Sequence, residues 1–234
     1  MYQSHKIVCI IPARGGSKGL PGKNIRKLKD KPLIAYSVEQ AKSSEYIDRV
    51  IVSTDDLKIA DIARQYGAEV PFIRPANLAA DNSSTIDVLL HVIDWLGESA
   101  NYLFDILVLL HVTTPLRTVE DIDNCIELLV RENADNVFSV AAAYRNPYFN
   151  MVEVTKDGSV SLVKKGDFTT RQSAPKVYDM NASIYVWWKD ILKAQKSVFL
   201  EKSRVYVMPR ERSVDIDDLM DFKIAEMLLK GLVA

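Results

Sequence analysis

Ile7-Val8-Cys9-Ile10-Ile11-Pro12 runs directly into Ala13-Arg14-Gly15-Gly16-Ser17-Lys18-Gly19-Leu20-Pro21-Gly22-Lys23-Asn24. The first six residues form a short apolar run closing on a glycine-rich turn, the pattern of a strand buried on both faces of a parallel sheet. Four glycines in the following segment leave backbone N–H groups free to approach an anion, and Arg14, Lys18 and Lys23 add positive charge. Such a loop at the carboxyl end of a sheet strand suits a nucleotide triphosphate. It is not a Walker loop, because no glycine precedes Gly22-Lys23 at the required spacing and Asn24 stands where Ser or Thr belongs. Nor is it a GxGxxG turn, since the glycines fall at 15, 16, 19 and 22. A solvated basic turn is the plain alternative, but glycine at this density is conformationally expensive unless a ligand uses it.

Outward from this loop the chain alternates. Pro32–Ser43 carries Leu33, Ile34, Val38 and Ala41 at helical spacing. Arg49–Ser53 reads as a strand, and Thr54-Asp55-Asp56 as a cap for a helix over Leu57–Tyr66 that Gly67 stops. A helix over Ser84–Leu96, a strand over Ile106–Leu110, a helix over Val119–Glu132 and a strand over Val137–Ala142 follow. This alternation predicts an α/β fold with a mostly parallel sheet and helices on both faces. Residues 144–180 are instead polar and aromatic, with a hairpin signal at Lys156-Asp157-Gly158, and read as an insertion that covers a site or makes a subunit contact. The α/β pattern resumes at Ala182–Trp187, with a strand near Arg204–Met208 and a last helix from about Asp217 to Lys230. A single domain over 1–234 is expected.

Composition narrows the function. Thirty basic and thirty-one acidic residues leave a net charge of -1, which argues against a general nucleic-acid or membrane-surface binder. The two cysteines, Cys9 and Cys125, form no CxxC pair and read as small core residues, and the three histidines show no metal-ligand spacing. No apolar stretch is long enough to span a bilayer and no leader pattern precedes the first strand, so a cytoplasmic protein is expected.

Several ordered motifs then coincide: Pro12-Ala13-Arg14-Gly15-Gly16-Ser17-Lys18-Gly19 with Lys23-Asn24, Ser53-Thr54-Asp55-Asp56, Arg74-Pro75 with Asp81, Thr114-Pro115-Leu116-Arg117, Asn181-Ala182-Ser183-Ile184-Tyr185, and Asp215-Ile216-Asp217 with Asp221-Phe222. Together they resemble the acylneuraminate cytidylyltransferases, the CMP-sialic acid synthetases. The resemblance implies a nucleotidyltransferase (glycosyltransferase-A-like) α/β fold, CTP and a nine-carbon 2-keto sugar acid as substrates, Mg²⁺, and a homodimer. It further implies that Arg14, Gly15, Ser17, Lys23 and Asn24 hold the phosphates and ribose, with Arg14, Lys23 and Asp217 catalytic. Arg74, Asp81, Ser84 and Thr85 would line the cytosine pocket. Arg74 could also be a surface ion-pair partner. His111, Thr113, Arg171, Asn181 and Tyr185 would meet the sugar acid, and Asp215 and Asp217 would ligate the metal.

The aspartates also have a reading of their own. Two apart on an extended segment, Asp215 and Asp217 present both carboxylates to one face, and a few oxygen ligands plus phosphate commonly hold Mg²⁺. A helix cap would explain one of the cluster Asp215, Asp217 and Asp218, not all three. Tyr185 on a strand could be core, and Arg171 an exposed arginine.

The sequence departs from the family at three points. His111 replaces the usual glutamine of the Leu-Leu-Gln-Pro-Thr-Ser-Pro-Leu-Arg motif, Tyr144-Arg145-Asn146-Pro147 replaces a His-Pro-containing segment, and Ala182 stands where glycine is usual. The acceptor is therefore expected to be N-acetylneuraminate or a modified nonulosonic acid of the legionaminic type. The eight-carbon relative, 3-deoxy-manno-octulosonate cytidylyltransferase, ranks lower because Thr113-Thr114-Pro115 lacks its acidic motif. A non-catalytic nucleotide-binding module and a transferase acting on sugar phosphates complete the alternatives.

Overall fold

In the computed structural model, which describes residues 1–17, 19–168, 170 and 172–231, one six-stranded sheet organises the chain. Its strands are β1 (Ile7–Pro12), β4 (Arg49–Ser53), β5 (Ile106–Leu110), β6 (Asn136–Ala142), β9 (Tyr178–Trp188) and β10 (Ser203–Met208), in the order β10-β6-β9-β5-β1-β4. The pairs β1/β4, β1/β5 and β6/β10 are parallel, whereas β9 runs antiparallel to both β5 and β6. The mostly parallel sheet read from the sequence is therefore mixed through one strand. That strand follows the inserted segment without a crossover helix, and a chain returning from the carboxyl edge of a sheet can rejoin it only by running downward.

Helices cover both faces. On one, α1 (Leu33–Ser43), α2 (Leu57–Gln65), α4 (Val119–Arg131) and α6 (Leu219–Gly231) pack on Ile7, Cys9, Val52, Val108 and Val186. On the other, α3 (Thr85–Glu98) and α5 (Lys189–Gln195) pack on Val8, Ile10, Leu107 and Trp187. Cys9 and Cys125 are buried in the first layer, as expected of small core residues. The period-2 split of β1 between the two layers is what a strand apolar on both faces provides.

Element boundaries follow from capping. Asp56 caps α2 by accepting from the N–H groups of Lys58 and Ile59, and Ser84 caps α3 by accepting from Ile86. Thr118 and Asp121 form a reciprocal capping box on α4. Asp218 accepts from Met220 and Asp221 N–H, so α6 begins at Leu219 rather than at Asp217. The short α5 was not expected, and β9 begins at Tyr178 rather than Ala182.

Residues 144–177 carry the inserted hairpin, β7 (Val152–Val154) with β8 (Val160–Leu162), turning at Lys156-Asp157-Gly158 as expected. The short ladder β2 (Lys27–Leu28) with β3 (Lys31–Pro32) leads into α1. Between β6 and β9 the register breaks: Phe138 faces Tyr185 and Val140 faces Met180, so Ser139 alone opposes Asn181–Ile184. The Ser139 hydroxyl fills the break, accepting from Ile184 N–H at 2.9 Å and donating to Asn181 Oδ1 at 2.7 Å. Within this bulge Ala182 takes a left-handed φ of 46°.

Candidate active site

The carboxyl ends of β4, β1 and β5 meet the amino-terminal half of the antiparallel β9 at the edge of the sheet where the glycine-rich loop lies, and the loop is anchored there. Ala13 N–H donates to Ser53 O at 2.9 Å, carrying the β1/β4 pairing one step past the strand. Gly15 N–H donates to Asp55 Oδ1 at 3.0 Å, and a side chain at Gly15 would run into Asp56. Asn24 is buried and its Nδ2 donates to Arg14 O at 2.8 Å, closing the loop on itself. A Cβ at Gly19 would collide with the carbonyl oxygen of Asp217, so glycine permits the loop to touch the aspartate segment. Lys18, Thr169 and Arg171 lie outside the described residues.

Two adjoining clefts open here, sharing Pro12, Arg14 and His111. One, of about 250 Å³, is lined by Ser17, Lys23, Asn24, Thr113 and Asp217. The other, of about 280 Å³, reaches to Arg74, Asp81 and Thr85. Arg14 crosses between them, with Nη1 2.9 Å from Asp81 Oδ1.

The acidic segment faces the first cleft. Lys23 Nζ donates to Ile216 O at 2.8 Å and to Asp217 Oδ1 at 3.2 Å. Asp217 is exposed, whereas Asp215 is half-buried and its Oδ1 has no hydrogen-bond partner. Burial, with Asp217 close by, holds the Asp215 carboxyl above its ordinary range, against a hydrogen bond from Thr113. Capping of α6 falls to Asp218 and Asp221, so Asp215 and Asp217 are free of that duty. An orphaned buried carboxylate oxygen beside a second carboxylate suits a hard divalent cation whose remaining ligands come from phosphate and water. No group of three or more His, Cys, Asp or Glu able to hold a metal alone occurs among the described residues.

At the end of β5, His111 N–H donates to Ser183 O at 3.2 Å and its ring packs edge-on to Tyr185, centroids 5.7 Å apart. Burial, then the charges of Arg117 and Lys23, push the imidazole down to about 4, so it is neutral near pH 7. Tyr185 itself stacks on Trp187 in the second core layer.

Other expected residues sit elsewhere. Arg74 is no surface ion-pair partner: it is buried, its Nε donates to Ser53 Oγ at 3.1 Å and its Nη2 to Ser53 O, so it clamps the 74–78 segment to β4 while edging the second cleft. Ser84 is engaged as the α3 cap. Asn181 is buried in the bulge, its amide donating to Ser213 Oγ at 3.0 Å and to Met208 Sδ. Its polar groups are thus held within the fold. Asp55 and Arg117, which the sequence presents only as motif members, both hold site loops in place. The sequence signal at Asp55 was a helix-cap pattern, and the actual cap is its neighbour Asp56.

A sheet whose carboxyl edge sets a glycine-rich basic loop against a pair of aspartates defines a nucleotidyltransferase. The family described as Cytidylyltransferase matches residues 8–230, and the chain belongs to it. Similar proteins include the post-translational flagellin modification protein B of Campylobacter coli, 45% identical over 96% of this chain and 95% of that protein. A CMP-N,N'-diacetyllegionaminic acid synthase of Campylobacter jejuni is 43% identical, with the same coverage. Among solved structures, a CMP:2-keto-3-deoxy-manno-octonic acid synthetase complexed with CTP superposes with a TM-score of 0.72 at 18% identity, covering 97% of this chain and 99% of that one, a likeness of fold.

Proposed function

We propose that this cytidylyltransferase couples CTP to a nonulosonic acid, of the N,N'-diacetyllegionaminic type, giving the CMP-sugar and pyrophosphate. The observation that carries the reading is the pair of clefts meeting at Arg14 and His111, one walled by the glycine-rich loop and Asp217 and the other by Asp81 and Thr85. Relatives named for legionaminic, pseudaminic and N-acylneuraminic acids support the acceptor class.

Asp215 and Asp217 are the residues that would hold Mg²⁺. Bound there with the triphosphate, the ion would supply charge neutralisation at phosphorus and ease loss of the acceptor hydroxyl proton. The backbone N–H groups of Gly16 and Gly19 and the Arg14 guanidinium receive the phosphates, and the second cleft takes the base. Lys23 spans the Ile216 carbonyl and Asp217, where its ammonium can turn to a departing pyrophosphate. Neutral His111 offers one donor and one acceptor to the sugar acid, and Thr113 a hydroxyl. Arg171, from the inserted segment, is assigned to the sugar carboxylate, for which a guanidinium fork is suited. In-line attack then depends on positioning and charge. No helix among the described residues is long and apolar enough to cross a membrane, and we read the enzyme as a cytoplasmic homodimer.

Pyrophosphate release from CTP and Mg²⁺ tests this against N,N'-diacetyllegionaminate, pseudaminate, N-acetylneuraminate and the eight-carbon octulosonate. Release with the legionaminate, abolished in Asp217→Asn, is expected. Release with the octulosonate alone, or with no acid while CTP still binds, overturns the reading.

A further inference from the structure

Arg117 lies under the site and touches neither cleft. It is 2% exposed, and among the described residues no carboxylate comes within 4.0 Å of it. Its donors go to uncharged acceptors: Nε to Ser183 Oγ at 2.9 Å, Nη1 to Ser37 Oγ at 2.9 Å and Gln40 Oε1 at 3.2 Å, Nη2 to Thr114 Oγ1 at 2.6 Å and to His111 O. A buried cation is ordinarily paired, and an apolar side chain could fill the same volume at lower energetic cost. What only a guanidinium provides is five donors in a rigid plane.

Those donors reach three separate pieces of chain. Ser37 and Gln40 belong to α1, Ser183 to the bulge of β9, and His111 and Thr114 to the loop joining β5 to α4. Gln40 extends the grip, donating to Pro115 O and Arg117 O at 2.7 Å each. Among the described residues the loop's backbone bonds to other segments are His111 N–H to Ser183 O and Ile216 N–H to Thr113 O, at 3.2 and 2.8 Å, and the fork adds the side-chain bonds that hold His111 O and Thr114 between them. From that loop the His111 and Thr113 side chains reach the cleft. The anchors of the glycine-rich loop, Asp55 and Asn24, involve no atom of Arg117.

We propose that Arg117 is a positioning residue for the acceptor half of the reaction: through its fork on the His111 carbonyl, Thr114 and Ser183, it fixes where the His111 ring stands between the two clefts. The proposal rests on the reading above for the identity of the acceptor, though not for the geometry it claims. Arg117 acts through His111 and leaves the phosphate loop alone.

Arg117→Lys keeps the charge and removes the fork. It should lower kcat/KM for the sugar acid on the order of 100-fold while the CTP dissociation constant, by calorimetry, moves less than about threefold. Ser183→Ala removes one acceptor with little risk to folding and should give a smaller loss of the same kind. In an Arg117→Lys, His111→Ala double variant the loss should be no greater than in the worse single one, because both changes remove the same contact. Parallel loss of CTP affinity, or multiplicative losses in the double variant, would overturn the proposal. If no acid is turned over even by the unaltered enzyme, the functional reading fails separately. The positioning claim is then judged on ligand-free protein by imidazole ¹⁵N spectra. His111 signals should move in both Arg117→Lys and Ser183→Ala while those of His5 and His91 stay, and an unmoved His111 refutes it.

Discussion

Ala182 shows at a single residue how the site holds backbone strain. A left-handed φ of 46° costs an L-residue with a Cβ roughly 1–2 kcal/mol relative to glycine. The position is held regardless: Thr114 Oγ1 donates to Ala182 O at 3.2 Å, and the neighbouring Ser183 takes bonds from Arg117 and His111. The strain is therefore maintained by the same contacts that shape the β5–α4 loop. Ala182→Gly relieves it, offset by about 0.4–1 kcal/mol for the freer unfolded chain. A net gain of somewhat under about 1 kcal/mol is expected from these opposing terms, read as a higher urea midpoint at unchanged slope. A lower midpoint would mean that the alanine methyl packs usefully in the bulge.

At the scale of elements, α4 ties the sheet to the aspartate segment through Asp121. This carboxylate is fully buried, accepts from Thr118 at the start of its own helix, and receives Arg212 Nε at 2.9 Å and Nη2 at 2.7 Å from the β10–α6 connection that carries Asp215. Burial alone would raise its pKa, but the Arg212 and Thr118 bonds outweigh that and hold it below the ordinary aspartate value. The unfolded chain therefore takes up the proton first. The stabilisation is complete above the unfolded pKa near ~3.9 and is lost as pH falls through the lower folded value. Asp121→Asn should lower stability at pH 7 by about 2–3 kcal/mol, below the figure for a fully buried pair because Arg212 keeps some contact with water. Urea melts at pH 7 and pH 3 would show the unaltered protein losing more on acidification than the variant; equal losses refute the assignment. Little of this was legible beforehand. Hydrophobic periodicity located β1, β4, β5, α1, α3 and α4 within a residue or two, because each buries a regular stripe. It missed α5, which is only seven residues long, and the early start of β9, whose first residues are polar or exposed. In the site, the glycines announced themselves by composition, and the aspartates by spacing. The structural duties of Arg74, Arg117 and Asn181 were hidden because a buried polar residue looks like a surface one until its partners, dozens of residues away, are known.

For the whole molecule, the sheet is not evenly covered. Over β10, β6 and β9, Val205 faces Phe138, Val207 faces Val140, Met180 faces Val140 from the other side and Tyr178 faces Ala142. Residues directly opposite share a face, so these apolar side chains lie on the α3/α5 side of the sheet. Phe199 joins them edge-on to Phe138. Yet Val207 is 46% exposed, Met180 43% and Phe199 70%, because α3 packs nearer β1 and α5 is only seven residues long. A contiguous apolar face of this kind is uncommon on a monomer, which makes it the surface on which the proposed dimer is to be tested. It borders Tyr178 and Val177, where the inserted segment re-enters the sheet beside a cleft of about 600 Å³ lined by Asn146, Gln172 and Pro175. Val207→Lys places a charge at the centre of that face and, being solvent-exposed, should leave the monomer fold intact. Light scattering after size exclusion is expected to show a dimer for the unaltered protein and a monomer for the variant, with circular dichroism unchanged. A dimer that survives the lysine would move the interface elsewhere, with the hairpin β7–β8, exposed along its length, as the surface then to be tested.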